Sequence, residues 1–106
     1  MLETFINEKS TQLVFYASRY LRGQLPQAEM HLFIWDTLEE WAQLQISQHT
    51  PQSFYETVFW HLLYQLEFWS EQEIRTNRTL RRQLQQCAGF LHGKATVHAE
   101  FIGIRP

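Results

Sequence analysis

Cysteine is almost missing from this chain. Cys87 is the one thiol in 106 residues, so no intrachain disulfide can form, and a lone thiol suits a reducing compartment. Long apolar runs are missing too. None approaches the roughly 20 residues that a bilayer span requires, so no spanning helix is expected. The opening MLETFINEKS lacks a basic region followed by an apolar run, so no signal peptide is expected. These absences together predict a cytoplasmic protein with no membrane partner, and in that compartment the sequon Asn77-Arg78-Thr79 is a chance match. A glycine-rich phosphate loop, a nucleophile elbow and a Cys-x-x-Cys pair are all lacking. No glutamate has a histidine three residues on, so the Glu-x-x-His of di-iron bundles is lacking as well. No metal and no cofactor are expected. Net charge is −2, so no global field draws the chain to nucleic acid or to an anionic surface.

What remains is rich in apolar and aromatic side chains, at 44% and 15% of residues. That is not a disordered composition. The length suits one domain, with enough surface to bury a core of its own. Charge is segregated along the chain. Residues 24–49 carry Glu29, Asp36, Glu39 and Glu40 without a lysine or arginine, and residues 74–82 carry Arg75, Arg78, Arg81 and Arg82 without an acid.

Four helices follow from apolar spacing at about 100° per residue. The first, about 2–22, places Leu2, Phe5, Ile6, Leu13, Tyr16, Ala17 and Tyr20 on one face and stops at Gly23. The second, about 26–47, opens at Pro26 and sets Met30, Phe33, Ile34, Leu38, Trp41 and Leu44 against a polar strip that includes Glu29, Asp36 and Glu40. Trp35, Ala42 and Ile46 widen its apolar face. The third, about 51–69, takes Thr50 as cap and Pro51 as first residue. The fourth, about 71–92, opens with the capping box Ser70-Glu71-Gln72-Glu73 and turns Leu80, Leu84, Cys87 and Leu91 inward. In the arm 94–106, Val97, Ala99 and Phe101 alternate with polar residues, a strand-like period. A lone strand cannot satisfy its own backbone, so the arm must pair across a dimer or lie on a surface. The expected fold is an all-α bundle of about four helices with a short strand-like C-terminal arm.

The third helix, from FYETVFWHLLYQLEFW, is too apolar for one buried face. Tyr55, Val58, Phe59, Leu62, Leu63, Leu66 and Trp69 make one stripe, and Trp60, Tyr64 and Phe68 a second. In a small bundle the second stripe has no obvious cover, and hiding three aromatics is worth on the order of 10 kcal/mol. The expectation is a homodimer joined along Trp60, Tyr64 and Phe68, with Phe101 from the arm. The competing expectation is that the arm folds back over the stripe.

Candidate chemistry is thin. His31 and His61 sit on or beside apolar faces, where histidines are more often core or interface residues than ligands. Cys87 reads as a small buried hydrophobe. Glu29, Asp36 and Glu40 form an acidic stripe that could dock a basic partner. Arg75, Arg78 and Arg82 share a face of the fourth helix, where an anionic partner or a nucleic acid would bind. The reading is a cytoplasmic interaction or regulatory protein without catalytic activity, acting as a homodimer on another, unidentified protein. Second comes a dimeric nucleic-acid-binding regulator, and third a helical enzyme with a pocket between helices lined by His31, Trp35 and Trp41.

Overall fold

The computed structural model describes residues 1–47, 49–94, 96–97 and 103–106. They form the expected all-α bundle, with five helices rather than four: α1 (Leu2–Leu21), α2 (Gln27–Leu44), α3 (Phe54–Phe68), α4 (Glu71–Thr76) and α5 (Arg78–Leu91). α3 lies at the centre, packed on α1, α2 and α5, while α1 also packs on α2 and α5. The core is made from the faces that helical spacing predicts. Leu13, Ala17 and Tyr20 of α1, Met30 and Ile34 of α2, Phe59, Leu62, Leu63 and Leu66 of α3, and Leu84 and Cys87 of α5 are all buried. Lys9 and Glu40 join α1 to α2 by an ion pair.

The helix ends follow local chemistry. α1 stops in a Schellman turn: Gly23 lies at φ 75°, its N–H donates to Tyr20 O, and Gln24 N–H donates to Arg19 O. Only glycine enters that left-handed conformation freely. Gly93 does the same after α5. Ser70 caps as expected, its Oγ accepting from Glu73 N–H at 3.1 Å.

Two boundaries differ from the sequence reading. The third helix begins at Phe54, not at Pro51, because Ser53 Oγ accepts from Glu56 N–H and provides the cap. The expected fourth helix is broken at Asn77, which leaves the helical region at ψ 101° and caps α5 by accepting from Leu80 N–H at 3.0 Å. Asparagine is among the best N-caps, which lets a helix restart where it would otherwise continue. Among the described residues there is no strand. The alternation predicted for the arm falls mostly on residues outside the described ones, Phe101 included. Val97 packs against the core.

Candidate functional site

The predicted aromatic seam on α3 does not stand open, and this corrects the expectation that nothing within one chain covers it. Trp60 is fully buried. Its ring meets Trp41 edge-on, with centroids 5.0 Å apart, and stacks beside Tyr64 at 6.1 Å. Tyr64 is half-buried and its hydroxyl donates to Ile104 O at 2.6 Å. Phe68 alone of the three is a surface residue, 72% exposed. The cover comes from neighbouring helices and from residues 103–106, which return to lie along α3.

That C-terminal strap is held by polar contacts. Glu56, in the first turn of α3, is only 2% exposed. Its Oε2 accepts from Trp60 Nε1 at 3.0 Å and from Arg105 Nε at 2.5 Å, and its Oε1 accepts from Arg105 Nη2 at 2.8 Å. Arg105 Nη1 donates to Thr50 O at 2.6 Å and Nη2 donates to Pro51 O at 3.0 Å. The guanidinium fork is thus matched by a carboxylate and two carbonyls, the geometry that arginine reads best. The Thr50 and Pro51 carbonyls, just before the Ser53 cap, are turned toward Arg105. The hydrogen bonds to Glu56 raise the Arg105 pKa above its ordinary value, partial burial opposes that rise, and the Glu56 charge adds to it. Gln52 Nε2 donates to Gly103 O and to Thr57 Oγ1. Gly103 is buried against the α3 backbone so closely that a Cβ would collide with Thr57 O and His61 N. Backbone cannot step aside, so residue 103 has to be glycine.

His61, half-buried on the same helix, has its pKa lowered by burial. Its neutral form is favoured by the fold, so its contribution is complete above pH 6.5 and is lost as pH falls through its lower folded value.

The basic face is reorganised by the break at Asn77. Arg75 Nη1 donates to Tyr20 O, and Arg81 Nη2 donates to Leu21 O at 2.7 Å. These are the last carbonyls of α1, where cations are favoured. Arg75 therefore closes a helix end and pairs with Glu71, while Arg78 and Arg82 stay exposed on α5. Of the three arginines expected on one face, Arg75 is thus partly committed within the chain. The acidic stripe is present: Glu29, Asp36 and Glu40 are exposed on α2. No known protein-family model, curated protein or solved structure matches this chain.

The face that sequence reasoning missed is the outer side of α2. Trp35 is 67% exposed and Leu32 55%, with Ala28 and Ala42 exposed on the same side and His31 and Leu38 at its edge. The sequence reading merged Trp35 and Ala42 into the buried face. In the structure they belong to a second apolar face, and Trp41, buried on the inner side, cannot share a pocket with Trp35. At about 100° per residue Glu39 lies within that face, between Trp35 and Leu32, and Asp36 beside it; Glu29 and Glu40 lie further round the same side, Glu40 in its ion pair with Lys9. The nearest signal in the sequence was a helix with too many apolar residues for one side, the same signal that drew attention to α3.

Among the described residues, clefts lie along the sides of the bundle. One, of about 420 Å³, lies between Leu2, Ile6 and Asn7 of α1 and Ser53, Tyr55 and Glu56. Another, of about 350 Å³, lies between Val14 and Ser18 of α1 and Gln85, Gly89 and His92. Among the described residues no group of three or more histidine, cysteine, aspartate or glutamate side chains converges on a metal position. Among the described residues no helix is long and apolar enough to cross a membrane.

Cys87 is buried, and burial raises its thiol pKa from 9.0 to about 11. A thiol so raised is a poor nucleophile near neutral pH. Burial likewise raises Tyr20 and Tyr64, Glu71 and Glu67 respectively adding to the effect. Each neutral form is favoured by the fold. The Cys87 contribution is complete below pH 9 and lost as pH rises through about 11. Urea midpoints should therefore fall across that interval, and the fall should be shallower in Cys87→Ala.

Proposed function

We propose that this protein is a non-catalytic interaction protein whose partner-binding surface is the outer face of α2. The observation that carries the reading is the exposure of Trp35 and Leu32 side by side on a helix whose other face is already committed to the core. Exposed tryptophan at the middle of an apolar strip is the residue type that dominates binding energies at interfaces. The acids Glu39 and Asp36 within and beside this strip, with no lysine or arginine from residue 24 to 49, select the partner. It suits an amphipathic helix with a basic rim, laid along α2. A second copy docked on the same face would set acid against acid, which argues for a different polypeptide. A reducing, cytoplasmic setting suits the lone buried thiol.

The nucleic-acid alternative has less support. It needs a concentrated arginine face, and here Arg75 and Arg81 are engaged by α1 carbonyls.

A designed 18-residue Lys/Leu amphipathic helix (about five turns) is a sufficient probe. Calorimetry should show salt-sensitive binding to the wild-type chain, weakened on the order of 30-fold by Trp35→Glu, and a Glu/Leu helix of the same design should not bind. Equal binding to wild type and Trp35→Glu, or indifference to peptide charge, would overturn the proposal.

A further inference from the structure

The seat of Arg105 is built like a receptor, and it has no part in the α2 reading. A carboxylate nine-tenths and more buried takes the arginine fork at 2.5 and 2.8 Å, and the Thr50 and Pro51 carbonyls take its remaining edge. Gln52 and Tyr64 hold the main chain at Gly103 and Ile104. The α3 backbone leaves room at position 103 for glycine alone. The residue between them, Ile104, is 68% exposed. Recognition therefore reads a glycine, any residue, then an arginine, with main-chain contacts fixing register. The strap is held by specific polar contacts rather than by apolar burial, which is how peptide sites hold extended ligands.

We infer that this is a binding site for a Gly-x-Arg peptide segment, filled in cis by the chain's own residues 103–105, and that a second copy's segment fills it when the resident one is lifted. A second copy is the fitting occupant because every copy carries both halves, the Glu56 seat and the matching glycine and arginine. Two copies exchanging segments close a two-fold pair with no open end, each site completed by the partner's Arg105. A tethered segment acts at an effective concentration on the order of millimolar, so the undisturbed chain fills its own site first.

Complementation between two variants tests this. Arg105→Ala keeps the seat and loses the ligand; Glu56→Gln keeps the ligand and loses the seat. Neither alone should pair in sedimentation velocity. Their equimolar mixture should yield a species of twice the chain mass. An acetylated synthetic peptide of residues 97–106 should also bind Arg105→Ala on the order of 30-fold more tightly than it binds the Glu56→Gln/Arg105→Ala double variant. If Arg105→Ala does not fold, Arg105→Lys, which keeps a cation but not the fork, replaces it as receptor with the same outcomes. A folded receptor that binds the peptide no better than the double variant, in a mixture that stays at single-chain mass, would overturn the inference.

Discussion

Trp60→Ala is expected to lower the unfolding free energy by about 3–5 kcal/mol, the range for removing a large buried aromatic. The indole is wholly enclosed and in contact with Trp41 and Tyr64. The substitution also removes a donor from the buried Glu56 carboxylate, which adds a desolvation penalty. For a chain of this size the melting temperature should fall on the order of 15–30 °C. Phe68→Ala, one helical turn past Tyr64 but exposed, should change stability by no more than about 0.5 kcal/mol. Calorimetry on the pair separates an internal Trp60 from a seam residue, because two seam residues would show similarly small effects on a lone chain.

Arg105→Ala should cost about 3–5 kcal/mol as well, by a different route. Glu56 cannot follow its lost partner into water, since α3 fixes it in the core, and breaking a buried pair strands the remaining charge. The reverse change, Glu56→Gln, should cost less: Arg105 lies between the exposed Ile104 and Pro106 and its side chain can turn to solvent. This asymmetry distinguishes the strap from a surface ion pair, where either deletion costs about 0–1 kcal/mol. Denaturant unfolding of both variants and of the double variant gives the coupling directly.

These effects explain what could be read from the sequence. The inner faces of α1 and α5 were legible because apolar residues recur at helical spacing and each helix ends at a glycine that closes it. The Ser70 cap was legible for the same local reason. The restart at Asn77 was not, since the spacing of Leu80, Leu84, Cys87 and Leu91 permits one continuous helix and the break is chosen by tertiary contacts of Arg75 and Arg81 with α1. Thr50 was the cap the sequence suggested for α3; the structure uses Ser53 instead, and the Thr50 carbonyl accepts from Arg105, 55 residues on in the chain. By helical spacing Glu56 falls outside both apolar stripes of α3, which gives no hint of its burial. Its role depends on the same distant arginine, although a basic residue after the apolar run FIGI was a signal that could have been pursued. The outer face of α2 was hidden because periodicity gives the direction of each side chain but not which side of the bundle a helix occupies.

The most direct test of the account is hydrogen exchange at the four tryptophan indoles, followed by nuclear magnetic resonance. The central claim is that the chain covers its own aromatic helix, with Trp60 Nε1–H locked onto Glu56 beneath the C-terminal strap. The Trp60 indole proton should exchange only through substantial opening of the fold, while that of Trp35 on the open face of α2 should exchange at a solvent-like rate. Exchange at Trp60 as fast as at Trp35, in a chain that is otherwise folded, would contradict it.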